Sequence, residues 1–271
     1  MPRQRGRDGK NMKVLFLGDV FAGVGRKTMA GLLPALRREH EPDFVLANCE
    51  NAAGGQGITP ETARELFDLG IDALTGGNHT WRHKEILDYL DREPRILRPA
   101  NYPAGTPGRG STVLDGGGKL RLGLLNLEGR VFMRPLLCPF RVADDAVARL
   151  LAQTPCLIVD FHAEATSEKR ALGLYLDGRA SAVLGTHTHV ATADEQILEH
   201  GTAYITDVGM CGATNSVIGM KRETVTERFL TSRPNTFQAA SGPGSLNGVL
   251  LQIDDLSGRA LSIERIRRTA K

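Results

Sequence analysis

MKVLFLGD, at residues 12–19, is a short apolar run that ends in Gly-Asp, and the fold is best predicted outward from it. Such a run is typical of a buried strand, here with a carboxylate at its carboxyl end. The next segment has a helical pattern from about residue 24 to residue 39, which Pro34 could kink or split. A strand followed by a helix is the repeating unit of parallel α/β sheets.

The same unit recurs twice further along the chain. DFVLANCEN at 43–51 predicts a second buried strand, and Thr59-Pro60-Glu61 predicts the start of a helix that ends near Leu69. IDALTGGNHT at 71–80 and HKEILDYLDRE at 83–93 predict a third strand and a short helix. Three such units predict a parallel sheet with right-handed crossovers.

The second half of the chain predicts further strands and some antiparallel pairing. DGGG at 115–118 predicts a hairpin turn. CLIVDFHAE at 156–164 and ASAVLGTHTH at 180–189 predict two more buried strands. Residues 247–255 and 260–268 predict a closing antiparallel pair, and residues 209–222 are a weak candidate for a flexible lid over a site. The sheets are therefore expected to be mixed.

Composition limits the possible classes of protein. The 271 residues are 41% hydrophobic and 24% charged, which is typical of a globular chain. Residues 1–11 hold four basic residues and one acidic residue, and so account for the net charge of +3. We expect residues 1–11 to form a basic disordered tail, with an RNA-tethering arm as the alternative, and residues 12–271 to form a single domain.

Cysteine usage and hydropathy exclude several other classes. The four cysteines form no CxxC pair, which argues against a structural zinc site and a disulfide framework. No apolar run approaches the ~20 residues that a membrane span needs. The basic start has no apolar segment behind it, so we expect that it is not a secretory signal and that the protein lies in the cytoplasm.

Five predicted strands end in side chains that can bind a metal ion. They are Asp19, Glu50-Asn51, Asn78-His79, His162-x-Glu164 and His187-x-His189. Each has an ordinary explanation when taken alone, such as turn chemistry for Gly-Asp or a solvated loop for a lone Asn or His. Sites in open α/β sheets form outside the carboxyl ends of the strands. Five such ends therefore predict one cleft that holds metal.

The number and type of ligands predict two ions. Carboxylate, amide and imidazole ligands without thiolates suit iron, manganese, zinc or cobalt. Seven candidates are too many for one ion with open positions, whereas two ions that share Glu50 account for them: Asp19, Glu50, Asn51, Asn78, His162, His187 and His189. Ions roughly 3.5–4 Å apart are suited to the hydrolysis of phosphate esters.

The order of these motifs resembles that of the calcineurin-like metallophosphoesterases. The resemblance rests on GD at 18–19, NCEN at 48–51, GNH at 77–79, DFHAE at 160–164 and GTHTH at 185–189. Longer motifs are similar to those of the bacterial 2′,3′-cyclic-nucleotide 2′-phosphodiesterase branch. They are GDVFAGVGR at 18–26, ANCENAAGGQG at 47–57, GGNHTW at 76–81, DFHAEATSEK at 160–169 and GTHTHVATAD at 185–194.

The chain departs from the broad superfamily in two places. Asp19-Val20-Phe21 stands where an Asp-x-His is usual, and Glu50-Asn51 stands where an Asp usually bridges the metals. The branch shares both changes, and Asn51 is expected to replace the missing His as a ligand. Conclusions drawn from protein phosphatases therefore transfer less directly to this chain.

The resemblance implies a layered α/β sandwich, in which mixed sheets flanked by helices place a dinuclear site at the carboxyl ends of strands. It assigns Asp19, Glu50, Asn51 and His189 to the first ion, and Glu50, Asn78, His162 and His187 to the second. A hydroxide between the ions would attack phosphorus in line. Iron is the expected metal, with manganese or zinc as alternatives.

Two further residues receive roles from the motifs. The resemblance implies that His79 gives the leaving group its proton, with a pocket-lining role as the alternative. Glu164, two residues after His162, either orients a ligand or is a salt-bridged loop carboxylate.

Three functions remain open on the sequence. The first is a phosphodiesterase acting on 2′,3′-cyclic nucleotides and other small phosphoesters. The second is a phosphomonoesterase or protein phosphatase on the same scaffold, and the third is an RNA-associated regulatory protein with secondary catalysis. A homo-oligomer without a membrane partner is expected in each case.

Overall fold

The computed structural model describes residues 11–118 and 120–270. Its strands are β1 (Asn11–Leu17), β2 (Asp19–Val20), β3 (Phe44–Asn48), β4 (Ala73–Thr75), β5 (Ile96–Leu97), β6 (Ser111–Asp115), β7 (Arg121–Glu128), β8 (Leu157–His162), β9 (Ala182–Thr186), β10 (Gln196–Ile197), β11 (Ala203–Ile205), β12 (Met210–Ala213), β13 (Gly244–Asp254) and β14 (Ala260–Thr269). Its helices are α1 (Ala22–His40), α2 (Pro60–Asp68), α3 (Leu87–Arg92), α4 (Pro139–Leu151), α5 (Thr166–Tyr175) and α6 (Arg222–Thr231), with a 3-10 turn at Lys84–Ile86 before α3.

In the described part of the chain the strands form two mixed sheets, one of eight strands and one of six. In the larger sheet, β1, β3, β4 and β5 run parallel, and β13 pairs antiparallel with β1, β12 and β14. In the smaller sheet, β7, β8, β9 and β11 run parallel, and antiparallel strands form both edges. The predicted parallel core and the predicted closing pair are confirmed.

The two sheets pack face to face through one side of β1. Because successive side chains of a strand point to opposite faces, Val14 and Phe16 share one face. Both belong to a buried cluster with Leu122 and Leu124 of β7, which lies in the other sheet. The interior between the sheets is therefore apolar.

Helices cover the outer faces of both sheets. Leu15 of β1 packs in a buried cluster with Leu33 of α1. Leu125 of β7 packs in another with Val147 of α4. The layers are thus helix, sheet, sheet and helix, which confirms the sandwich of mixed sheets flanked by helices that the sequence implied.

Helix α1 corrects one expectation, because Pro34 does not split it. The helix runs without interruption for 19 residues. Proline lacks the N–H that would bond to the carbonyl of Ala30. Ala30 and Pro34 are both exposed, so water can donate a hydrogen bond to that carbonyl.

Residues 209–222 contain a second departure from expectation. Met210–Ala213 is the buried strand β12, which pairs with β2 and β13. The prediction of a flexible lid is therefore wrong for this part of the segment, because a buried strand bonded on both edges is part of the core. Residues 214–221 connect β12 to α6.

Two sequence-based expectations concern the ends of the chain and the membrane. Of the expected basic tail, only Asn11 falls within the described residues, where it begins β1. The division into a tail and the domain 12–271 stays a prediction. Among the described helices none combines the length and apolar character needed to cross a bilayer.

Candidate metal centre

The seven predicted ligands lie together at one edge of the molecule. Asp19, Glu50-Asn51 and Asn78 follow β1, β3 and β4 of the larger sheet. His162 ends β8 of the smaller sheet, and His187 and His189 follow β9. β1, β3 and β4 run parallel to one another, and so do β8 and β9, so the carboxyl ends within each set lie at the same edge of their sheet and open toward the cleft.

Two groups of three residues offer ligand atoms within 4.8 Å of one another. One group is Asp19, Glu50 and His189, and the other is Glu50, His162 and His187. Glu50 belongs to both groups. Since it is the only member they share, its two carboxylate oxygens are placed to serve both positions.

Each of the three histidines among the predicted ligands has one ring nitrogen hydrogen-bonded to an acceptor outside the ligand cluster. The hydroxyl of Thr186 donates to Asp160 Oδ1 over 2.8 Å, and its oxygen lies 2.9 Å from His162 Nδ1. Because the hydroxyl proton of Thr186 is used in the hydrogen bond to Asp160, its oxygen accepts a hydrogen bond from Nδ1–H of His162. Nε2 of His162 is left as the ligand nitrogen, 3.2 Å from Glu50 Oε2.

The other two histidines are oriented in the same way. His187 Nε2 lies 2.9 Å from Glu164 Oε2, which leaves Nδ1 facing His162. His189 Nδ1 donates to the backbone carbonyl of Ile218 over 2.9 Å, which leaves Nε2 facing Asp19 at 3.8 Å. Histidines that bind metals almost always donate their other N–H to such an acceptor. The side chains present therefore fit a metal site.

The amide ligands lie beside these nitrogens. Asn78 Oδ1 is 3.0 Å from His162 Nε2. The amide of Asn51 faces both Glu50 Oε1 and His189 Nε2, at 2.8 and 3.0 Å, with its Nδ2 atom. A 180° turn of that amide, which exchanges Oδ1 and Nδ2 in place, would present oxygen to a cation.

An orphaned carboxylate oxygen is a further sign that the site fits a cation. Asp19 is fully buried, and its Oδ1 accepts no hydrogen bond from the described residues. Burial raises the pKa of Asp19 to about 6, although His189 and His162 oppose the shift. A buried carboxylate oxygen without a hydrogen bond is costly, and a metal ion is one of its usual partners.

The charges of the cluster also favour a cation. Burial would lower the pKa of His162, but the carboxylates of Glu50, Asp19 and Asp160 outweigh it and raise that pKa to about 9. The pKa of His187 is lowered to about 3, first by burial and then by the charge of His162. The carboxylates thus attract positive charge, which a metal ion would supply in place of the proton.

His79 lies beside the ligands without belonging to either group of three. Its Nδ1 is 3.2 Å from Glu50 Oε1 and 3.0 Å from Asn51 Oδ1, and its backbone N–H donates to Glu50 Oε2 over 3.0 Å. The side chain is 30% exposed and lines the cavity over the cluster. It is placed to exchange a proton with a molecule in that cavity.

A polar network joins the two sheets directly beneath the ligands. Asp160 of β8 accepts hydrogen bonds from Asn48, Thr75 and Thr186, all buried. Asn48 and Thr75 belong to the larger sheet, whereas Asp160 and Thr186 belong to the smaller one. The network fixes the strand ends relative to each other and holds His162 through Thr186.

A buried ion pair supports the turn that carries His187 and His189. Lys169 Nζ lies 2.7 Å from Asp207 Oδ2, and both side chains are at most 1% exposed. Asp207 Oδ2 also accepts from the backbone N–H and the hydroxyl of Thr188. His187 and His189 have φ angles of 98° and 68°, a region that non-glycine residues rarely adopt, so this turn needs such support.

Sequence reasoning missed several residues that complete the site. The sequence motifs predict no role for Thr186, Ile218, Lys169 or Asp207, although Thr186 and Lys169 lie within them. The polar ends of β9 and β11 were the available signal for Thr186 and Asp207. Nothing local marks Ile218, because its contribution is a backbone carbonyl from a distant loop.

Comparison with curated proteins gives relatives over nearly the whole chain. The chain is 51% identical over 255 residues to a Bacillus subtilis protein named 2′,3′-cyclic-nucleotide 2′-phosphodiesterase, covering 94% of this chain and 96% of that protein. It is 36% identical over 266 residues to a putative phosphatase/phosphodiesterase of Mycoplasma genitalium, covering 95% of this chain and 93% of the relative.

Solved structures agree with these relatives. A hypothetical protein from Thermus thermophilus superposes with a TM-score of 0.88 at 45% identity, covering 96% of this chain and all of that one. A protein described as a novel phosphatase of Mycoplasma pneumoniae superposes with a TM-score of 0.90 at 34% identity, covering 96% and 94%. The family described as YmdB-like protein matches residues 15–266. The resemblance read from the motifs is therefore confirmed, and the chain belongs to the YmdB-like protein family.

Proposed function

We propose that this protein is a two-metal phosphodiesterase that hydrolyses 2′,3′-cyclic nucleotides. The observation that carries the proposal is the pair of ligand groups that share Glu50, in a chain 51% identical to a relative named for that activity. That kinship bears out the expectation of an enzyme that cleaves phosphoric diesters. The reaction adds water to phosphorus and breaks the bond to O2′, which leaves a 3′-phosphate.

Seven residues would hold the metals. The first ion would take Asp19, Glu50, Asn51 and His189, and the second Glu50, Asn78, His162 and His187. When bound, such a pair supplies an activated water and neutralises charge on the phosphoryl group. Glu164, Thr186 and the Ile218 carbonyl hold the three imidazoles, so that each presents its other nitrogen to the cleft.

His79 supports the departure of the 2′ oxygen. Its Nδ1 is engaged by Glu50 and Asn51, so Nε2 is the nitrogen left to deliver a proton to the leaving alkoxide. The ring follows Asn78 directly in the chain, which places it next to the ligands of the second ion. Its partial exposure lets it exchange that proton with solvent.

A phosphomonoesterase or protein phosphatase is the second candidate, because one Mycoplasma relative is named as a putative phosphatase/phosphodiesterase and another as a novel phosphatase. A substrate panel separates the two functions. Purified metal-loaded protein is assayed on 2′,3′-cyclic AMP, p-nitrophenyl phosphate and a phosphopeptide, with 3′-AMP identified as the product of the first. Glu50→Gln serves as the inactive control, with its fold checked by circular dichroism.

We expect the largest kcat/KM for 2′,3′-cyclic AMP. A larger kcat/KM for the monoesters would favour the phosphatase instead, and turnover of none of the three substrates would overturn both. Elemental analysis of protein purified without chelator tests whether the metal is iron, as expected, or manganese or zinc. A cytoplasmic location and a homo-oligomer complete the proposal, and cell fractionation and light scattering test them.

A further inference from the structure

The cavity over the ligand cluster has two sides of opposite character. One side consists of polar residues of the cluster and its neighbours, including Glu50, His79 and His187. The other side, here called the apolar wall, consists of Val217, Ile218, Met220, Val225, Phe229 and Phe237. The cavity has a volume of about 360 Å³, within the range of roughly 300–1,000 Å³ found for small-molecule sites.

Several side chains of the apolar wall are exposed to an unusual degree. Phe229 is 82% exposed, Ile218 49% and Phe237 37%. Exposed apolar surface that lines a cavity beside polar groups is a feature of ligand-binding grooves. Beneath the wall, Phe21 is buried and packs edge-on against His189, with 5.5 Å between ring centroids.

The apolar wall is tied to the ligand cluster through the backbone. Ile218, a wall residue, accepts the hydrogen bond of His189 Nδ1 through its carbonyl. It does so at a φ of 46°, where a β-branched residue is strained. A ligand group that contacts the apolar wall is therefore held at a fixed position relative to the group that binds at the ligand cluster.

We propose that the apolar wall binds the base of the nucleotide, with Phe229 and Phe237 as its aromatic surfaces. This inference rests on the proposed function. A 2′,3′-cyclic nucleotide has an anionic phosphate at one end and, at the other, a planar base whose aromatic faces can stack on apolar side chains, which matches the two sides of the cavity. Arg228 lies over the Phe237 ring, 4.9 Å from its centroid, and steadies that ring.

Stacking on phenylalanine also predicts how the enzyme selects substrates. Every base has a flat aromatic face, so such a surface tolerates all four bases. The substrate class is therefore nucleoside cyclic phosphates in general, in preference to cyclic phosphates that lack a base.

Matched substrates and variants test this assignment. Wild type, Phe229→Ala and Phe237→Ala are assayed in metal-loaded form on 2′,3′-cyclic AMP and on methyl riboside 2,3-cyclic phosphate, which has no base. Leu230→Ala is the control, because Leu230 is 81% exposed on the same helix and does not line the cavity. Calorimetry of adenosine 3′-phosphate and of ribose phosphate gives a readout that needs no turnover.

Loss of one stacking surface should raise KM for 2′,3′-cyclic AMP about tenfold with little change in kcat. The base-free substrate should be unaffected, and Leu230→Ala should match wild type on both. The inference is overturned if the phenylalanine variants raise KM equally for both substrates, or for neither of them.

The two levels of the proposal fail separately. Phenylalanine-dependent binding of adenosine 3′-phosphate without hydrolysis of any cyclic nucleotide would support the base site and overturn the proposed function. Hydrolysis of 2′,3′-cyclic AMP with the same KM in wild type and in both phenylalanine variants would support the proposed function and overturn the base site.

Discussion

At the scale of single residues, the three imidazoles of the cluster are each fixed by one hydrogen bond. The acceptors differ: a hydroxyl for His162, a carboxylate for His187 and a backbone carbonyl for His189. In each case the bond sets which nitrogen carries the proton. The ligand nitrogen therefore faces the metal position before any ion arrives, which reduces the reorganisation that binding requires.

Replacing Thr186 by valine should weaken metal binding without disturbing the fold. Valine matches the shape of threonine but cannot accept from His162 Nδ1 or donate to Asp160. Affinity should fall about 10- to 100-fold, as measured by competition with a chromophoric chelator. Thr202→Val is a control, because Thr202 is equally buried but its hydroxyl donates to the carbonyl of Ala180, away from the cluster. Equal affinities for wild type and Thr186→Val would refute the orienting role.

Replacing His79 by alanine should separate metal binding from turnover. The protein should keep its metals, since the carboxylate of Glu50 is also held by the backbone N–H of residue 79. Turnover of 2′,3′-cyclic AMP should drop by about 10²-fold or more, in line with general-acid catalysis. Turnover of a p-nitrophenyl diester, whose leaving group departs without a proton, should fall far less. An equal loss on both substrates would argue against proton donation.

At the scale of elements, helix α5 and strand β11 together hold the turn between His187 and His189. Lys169 extends from α5 to Asp207, which lies two residues after β11 and bonds the turn at Thr188. Gly185 lets strands approach closely here, because a Cβ on it would lie within 1.7 Å of the Thr206 carbonyl oxygen. The turn is thus supported by the close packing at Gly185 and by the buried ion pair of Lys169 and Asp207.

Replacing Lys169 by methionine should lower the free energy of unfolding by about 3–5 kcal/mol, because Asp207 would stay buried without its partner. Urea unfolding measures the change. Arg222→Met is the matched control: Arg222 pairs with Glu223 at the surface, where its side chain is 63% exposed, and its loss should cost about 1 kcal/mol or less. Similar costs for the two variants would contradict a special role for the buried pair.

At the scale of the whole molecule, the ligand cluster lies across the junction of the two sheets. Each group of three ligands combines a carboxylate from the larger sheet with a histidine from the smaller one. Asp160 makes the same connection below them through Asn48 and Thr75. An ion bound in the cluster would therefore join both halves of the sandwich and stabilise the whole fold.

Metal addition should therefore raise the melting temperature, and chelation should lower it. An ion present at 100 times its Kd should add about 2.7 kcal/mol to the unfolding free energy. Scanning calorimetry with Mn²⁺ and with EDTA measures the shift. Asp19→Asn should reduce it, whereas Asp144→Asn, in an exposed pair with Arg179, should not. A melting temperature indifferent to metal would speak against the site.

The amino-acid pattern alone was enough to predict the parallel strand–helix units and the residues at their carboxyl ends. Those features are local, because the side chains that end a strand are chain neighbours of the apolar run that forms it. Only three-dimensional packing revealed which atoms hold each imidazole, the buried pair of Lys169 and Asp207, and the apolar wall of the cavity. His189 and Ile218 are 29 residues apart, and Asn48 and Asp160 are 112 apart. Contacts at such separations follow from how the sheets and loops pack, and no local pattern records them.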